Sequence, residues 1–168
     1  MVVTDTLGFL VGTWTVDRSV EDHRSGISGC FQGTAVLAGI PAEDGAEGVA
    51  RASYHESGEL RFGAHTGPAS RRLEYVRLGG AVMLYFADGR PYTDLDLRPG
   101  AWRGEHQCVA DHYDVRTVVR SQDELHEVWR VRGPDKDYDA ATTLRRLSPP
   151  DAPAGDTPGL AVRLIRDK

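Results

Sequence analysis

The sequence predicts an all-β protein, a single antiparallel up-and-down barrel of about eight to ten strands behind a short N-terminal helical turn. Three observations lead there. In the opening stretch Phe9-Leu10-Val11-Gly12-Thr13-Trp14-Thr15-Val16-Asp17-Arg18, residues Trp14, Val16 and Arg18 alternate with Thr13, Thr15 and Asp17. One face of a strand then carries a ring, an aliphatic group and a cation. Similar alternating segments recur down the chain with no long amphipathic stretch between them, and 19 glycines and nine prolines supply the turns. The pattern fits a closed barrel or a sandwich. The first strand favours the barrel, because Gly12 lets the chain bend just before the indole.

Taken in order, residues 3–10 read as a helical turn capped by Thr4 or Asp5. After the first strand, Ser25-Gly26 turns the chain into residues 29–37, where Phe31, Gly33, Ala35 and Leu37 share a face and Gly33 marks a bend. Residues 39–48 read as a loop. Residues 49–56 alternate through Ala50, Ala52 and Tyr54, and Ser57-Gly58-Glu59 reads as a hairpin turn into Leu60-Arg61-Phe62. Strands are predicted over 70–78, 82–87, 92–97, 102–119 and 125–131, with Gly79-Gly80 and Asp88-Gly89 as turns. A last strand runs over about 140–147. The barrel domain is thus residues 1–147, residues 148–159 form a proline-rich linker, and residues 160–168 form a tail that adds a strand or stays loose.

Composition narrows the functional classes. A net charge of -5 and a pI near 5.6 argue against nucleic acid as partner, because phosphate contacts need concentrated positive surface. No apolar run approaches the roughly 20 residues of a membrane-spanning helix, so no membrane partner is expected. The first eight residues lack a basic start leading into a long apolar segment, which predicts a cytoplasmic protein. Cys30 and Cys108 are then expected as free thiols. The expected partner is a small molecule. A homodimer is the one assembly suggested, through the tail strand.

The densest titratable stretch is Glu105-His106-Gln107-Cys108-Val109-Ala110-Asp111-His112-Tyr113. In an unbroken strand His106 and Cys108 share one face while Asp111 and Tyr113 share the other, so all four converge only across a bulge near Ala110. No Cys-x-x-Cys or His-x-x-x-His spacing is present, and neither a metal nor a cofactor is predicted. In the turn Gly133-Pro134-Asp135-Lys136-Asp137-Tyr138, Lys136 can reach over a barrel mouth and Tyr138 can donate a hydrogen bond. Strand parity can aim Arg18, Glu56, Tyr75, Tyr85, Arg90, Tyr92, Asp94 and Arg145 inward. An inward Arg18 needs a carboxylate, Glu56 or Asp94, or else an anionic ligand. Tyr54 with Glu56, and Arg72 with Glu74, also read as exposed pairs. Ligand contacts are assigned to Arg18, Glu56, Tyr75, Tyr92, Cys108, Trp129 and Lys136.

Five pieces stand in order along residues 9–138: Phe9-Leu10-x-Gly12-x-Trp14, Tyr54-x-Glu56-x-Gly58, Phe86-x-Asp88-Gly89-Arg90, His106-x-Cys108-x-x-Asp111-x-Tyr113, and Trp129-x-Val131-x-Gly133-Pro134-x-Lys136-Asp137-Tyr138. Together with Arg145 on the last strand, the set resembles the calycin superfamily of lipocalins, fatty-acid-binding proteins and nitrobindins. More closely it resembles an uncharacterised bacterial family of calycin-like barrels. The resemblance implies that Gly12, Trp14 and Arg145 are structural, with the tryptophan packed against the arginine at the closed end. It implies a barrel that binds a small hydrophobic or amphipathic molecule. Calycin-like cyclases imply the alternative of an enzyme without cofactor, an isomerase, dehydratase or cyclase, with His106 as general base or acid, Tyr113 or Tyr138 as acid or oxyanion donor and Asp111 orienting an imidazole. Nitrobindins imply haem binding through His106, His112 or His126.

Overall fold

The structure, a computed structural model, describes residues 3–41 and 49–147. A helix α1 (Thr6–Leu10) precedes ten strands: β1 (Gly12–Asp22), β2 (Ile27–Pro41), β3 (Val49–Phe62), β4 (His65–Leu78), β5 (Ala81–Phe86), β6 (Pro91–Leu95), β7 (Ala101–Cys108), β8 (Asp111–Ser121), β9 (Glu124–Arg132) and β10 (Asp137–Arg146). They form one antiparallel sheet in the order β6-β5-β4-β3-β2-β1-β10-β9-β8-β7. Sequence neighbours pair except for β6 and β7, and the first strand pairs with the last, so the meander curls into a nearly closed barrel. The gap is a seam. β6 and β7 lie side by side there without a ladder.

Two turns differ from the sequence reading. Residues 57–59 are not a hairpin turn; they lie within β3, and the chain reverses at Gly63 instead. Gly58 is directly opposite Gly33, and a Cβ on either would lie 2.2 Å from a carbonyl oxygen of the other strand, so the pair lets these long strands press together as they curl. Residues 102–119 are two strands rather than one. They are joined at Val109-Ala110, where Val109 adopts φ 56°. Glycine or asparagine is the usual sign of such a turn, and neither stands there.

The core begins at the α1 end. Asp5 caps the helix, accepting from Leu7 N at 3.1 Å, as the sequence suggests. Leu7, Leu10 and Val3 plug the barrel against Trp14, Leu37, Ala52, Val82 and Leu97. Trp14 Nε1 donates to Leu10 O at 2.8 Å, and Leu97 N donates to Thr6 Oγ1 at 3.0 Å. The plug is therefore bonded to the first strand and to the β6–β7 connection.

The arginine on Trp14 is Arg146, not Arg145. Trp14 and Arg146 are direct cross-strand partners, so they share the inner face and leave Arg145 outside. The Arg146 guanidinium lies 4.1 Å from the Trp14 ring centroid and donates to Phe9 O at 2.6 Å and Val11 O at 2.9 Å, satisfying carbonyls at the helix end. Arg145 instead donates to Glu124 Oε2 at 3.1 Å on the outer wall. The loop expected over 39–48 starts later, because residues 39–41 continue β2; its remainder, 42–48, and the linker and tail expected over 148–168 lie outside the described residues.

Candidate functional site

Above the apolar plug the inner face changes character. β1, β3 and β4 place Arg18, Glu56 and Arg71 inside, at positions where the alternation of their strands points to the core. Arg18 forks onto Glu56, with Nη1 to Oε1 at 2.9 Å and Nη2 to Oε2 at 2.8 Å, while its Nε donates to Thr142 Oγ1 at 2.9 Å. Tyr54 O–H donates to Glu56 Oε2 at 2.5 Å and Arg71 Nη2 donates to it at 3.3 Å. Of the two carboxylates expected for Arg18 the partner is Glu56; Asp94 is exposed. The expected exposed pair of Tyr54 with Glu56 is buried, Glu56 being only 3% exposed. Burial alone would raise the Glu56 carboxyl, but the Arg18 hydrogen bonds, the Arg71 charge and Tyr54 bring it down to about 2.

An aromatic shelf stands beside this cluster. Tyr92 of β6 stacks on Trp129 of β9 with ring centroids 5.4 Å apart and planes 10° apart. Phe86 continues the run at 4.7 Å from Tyr92, and Tyr113 meets Trp129 edge-on at 6.5 Å. On β7 the Trp102 ring lies over Gly104, where a Cβ would be 2.1 Å from the indole. Burial raises the Tyr75 and Tyr92 phenols well above their usual range, so both remain neutral donors.

Between cluster and shelf lie two small voids, of about 50 and 30 Å³, with Arg71, Tyr75, Leu95, Thr117 and Glu127 bordering both. The smaller abuts the seam, bounded by Tyr92, Thr93 and Trp102. Arg71 Nε and Thr117 Oγ1 are shut from solvent and have no hydrogen-bond partner. Glu127 accepts from Trp129 Nε1 at 2.7 Å. A wider groove of about 520 Å³ lies outside the plug, but its charged groups are already engaged: Asp5 pairs with Arg77, and Arg146 with Asp123 and the helix-end carbonyls.

At the opposite mouth, register brings two predicted motifs together. Lys136 Nζ lies 2.6 Å from Asp111 Oδ2 and donates to Tyr113 O–H at 2.7 Å, and these contacts push the lysine above its ordinary range. Gly133 permits the approach, since a Cβ there would be 1.9 Å from Asp111 Oδ1. His106 is the cross-strand partner of Tyr113, with rings 5.9 Å apart, and Tyr138 packs nearby on β10. The hairpin, not a bulge, gathers His106, Asp111 and Tyr113.

Several predicted residues fall elsewhere. Cys108 is exposed at the β7–β8 tip, away from the voids, and Arg90 is exposed and paired with Asp88. His112 is exposed, and His126 lies on the outer wall 2.7 Å from Glu124. Neither borders the voids, whose volumes would admit a few waters but no macrocycle, so the interior does not fit the haem expectation. The sequence reading passed over Arg71, Thr117, Glu127, Trp102 and Arg146. A signal was there: each of the first three stands at core parity beside buried neighbours, as in Arg71-x-Leu73-x-Tyr75, Val115-x-Thr117-x-Val119 and Leu125-x-Glu127-x-Trp129.

No curated protein matches this sequence. The family described as a family of unknown function, DUF6314, matches residues 10–146. Among solved structures, the S-type phycobiliprotein lyase CPES from Guillardia theta is similar with a TM-score of 0.61 at 13% identity, over 89% of this chain and 95% of that one. A de novo designed fluorescence-activating β-barrel gives a TM-score of 0.42 at 14% identity, over 86% and 100%. At such identities the likeness to the lyase is one of fold, and it agrees with the calycin-like barrel expected from the motifs.

Proposed function

The chain belongs to the DUF6314 family of unknown function, and we propose that its barrel binds a small amphipathic molecule between Arg71 and Trp129, reached through the seam between β6 and β7. The observation that supports this is the pair of voids bordered by buried, unpartnered polar atoms beside an aromatic shelf. An unpaired buried donor costs about 1–3 kcal/mol, and a guest that satisfies Arg71 and Thr117 recovers that cost. The voids as they stand are smaller than the roughly 300 Å³ or more of a typical ligand pocket, so a guest enters by parting the seam. β6 suits that motion: it has five residues, a bulged ladder on one side and none on the other. Of the predicted contacts, Tyr75, Tyr92 and Trp129 line this site, whereas Arg18 and Glu56 form the fixed floor behind it.

Indole fluorescence tests the reading. Titration with naphthalene-, quinolinone- and stilbene-type compounds is expected to quench saturably and to raise the melting temperature, and Trp129→Leu is expected to weaken both effects. No saturable quenching and no thermal shift across the series would overturn it.

The mouth cluster supports a second reading, acid/base catalysis, with His106 moving a proton and Tyr113 or Tyr138 donating to a developing oxyanion. Asp111 is occupied by Lys136 rather than by an imidazole, so Lys136 takes over as the group that polarises Tyr113. Full turnover of a bound substrate by both His106→Ala and Tyr113→Phe would remove this reading. Unpaired Cys30 and Cys108 support a reducing, cytoplasmic setting.

A further inference from the structure

Resting on the reading that the interior takes a small molecule, we propose that the buried head of that molecule is uncharged and carries adjacent acceptor and donor atoms, the lactam edge of a planar aromatic ring. Its carbonyl is received by Arg71 and Thr117, and its N–H by Glu127.

Charge balance on the inner wall carries the argument. Arg18 and Glu56 neutralise one another in a forked pair that leaves Arg18 no free donor edge, since Nε is taken by Thr142. Arg71 gives Glu56 one contact, at 3.3 Å, and keeps Nε unpartnered; its side chain is 36% exposed although it lies among interior groups. Glu127 gives one oxygen to Trp129, and its other oxygen has no hydrogen bond among the described residues. Arg71 and Glu127 border the same voids from β4 and β9 without being close enough to pair with each other. Thr117 and Glu127 are cross-strand partners on β8 and β9, so one wall offers the Arg71 donor and the other a hydroxyl beside a carboxylate, with opposite charges that cancel at a distance.

A carboxylate head would sit well on Arg71 but bring a second negative charge against Glu127, and an ammonium would do the reverse against Arg71. A neutral donor–acceptor edge satisfies both walls and leaves the balance untouched. Planarity follows from the neighbouring surface, because the stacked Tyr92 and Trp129 rings and the Trp102 indole flattened over Gly104 bound the rest of the space.

Three probes of matched size separate the cases on the full chain: carbostyril, a neutral bicyclic lactam; naphthoate, an anion; and naphthylmethylammonium, a cation. Quenching titrations are expected to rank carbostyril about tenfold or more tighter than either ion. Thr117→Val is expected to weaken carbostyril several-fold. Glu127→Gln keeps the shape and the Trp129 contact but makes the interior net positive, and it is expected to improve naphthoate by about tenfold while leaving naphthylmethylammonium unimproved. Wild-type protein that prefers naphthoate, prefers naphthylmethylammonium or does not discriminate would overturn the lactam assignment while leaving ligand binding intact. Binding of none of the three, with no thermal shift from the wider aromatic series, would instead overturn the binding reading itself.

Discussion

At the α1 end Trp14 is 0% exposed, its one polar atom is bonded, and Arg146 above it reaches main-chain carbonyls. Beside the seam Trp129 is 9% exposed, bonded to a carboxylate, and borders the smaller void, where an arginine nitrogen and a threonine hydroxyl have no partner. The same barrel wall thus makes two kinds of interior. One is apolar and satisfied, and serves to hold the strands; the other keeps polar groups in reserve, and its nearest strands, β6 and β7, have no ladder with each other. Unmet hydrogen-bonding capacity, more than empty volume, separates the proposed binding end from the structural end.

Truncating the two tryptophans tests that contrast most severely. Trp14→Ala is expected to cost about 3–5 kcal/mol in denaturant unfolding, because a wholly buried ring is removed from a site held by the helix plug. Trp129→Ala is expected to cost clearly less, since Trp129 is not wholly buried and borders the void at the seam, where β6 and β7 have no ladder and water can enter the space. Equal losses would mean that both ends are equally well packed, and the distinction would fall.

The charged floor between the two ends gives the next effect. Glu56 titrates near 4.5 when unfolded and at about 2 when folded, so its contribution is fully present above pH 4.5 and is lost as pH falls toward 2. The shift corresponds to about 3 kcal/mol over that window. Stability measured from pH 6 to pH 2 is expected to fall accordingly, and Glu56→Gln is expected to be less stable at neutral pH with a flatter acid limb. An unchanged acid limb in that variant would show that other carboxylates carry the transition.

The neighbouring arginines of β10 sharpen the contrast at smaller scale. Arg146→Gln removes two carbonyl contacts and a guanidinium stacked on Trp14, an expected loss of about 2 kcal/mol. Arg145→Gln breaks only an exposed pair with Glu124 and is expected to stay within about 0.5 kcal/mol. Chemical denaturation of the two variants side by side reads the difference; a larger loss from Arg145 would restore the pairing that the lipocalin resemblance implies.

Those same arginines show what a sequence of this kind discloses. Alternation and turn chemistry were enough to place nearly all the strands, the helix cap at Asp5 and the inward face of Trp14 and Arg18, because each is decided within a few residues. Choosing between Arg145 and Arg146 needed the β1–β10 register, which barrel closure sets. The site was harder still. Thr117 and Glu127 are cross-strand partners on β8 and β9, but Arg71 comes from β4 and meets them only across the interior, and each alone resembles a polar interruption in an apolar face. The mouth cluster was half legible: its members stood out by composition, but Lys136 joined Asp111 rather than an imidazole because Gly133 lets that loop close on β8.

The hairpin that assembles the mouth offers the smallest test. Val109 is 97% exposed and holds φ 56°, a region that costs a β-branched residue about 1–2 kcal/mol, and it has no packing to offset that. Val109→Asn tolerates the same backbone without glycine's added freedom in the unfolded chain, and is expected to stabilise the protein by about 0.5–1 kcal/mol. If the turn only positions His106 against Tyr113, the variant will melt higher while its quenching by bound aromatic probes stays the same, since the voids lie toward the seam and the plug. A change in probe affinity without a change in stability would instead tie the mouth hairpin to the interior site, and the two regions would have to be treated as one.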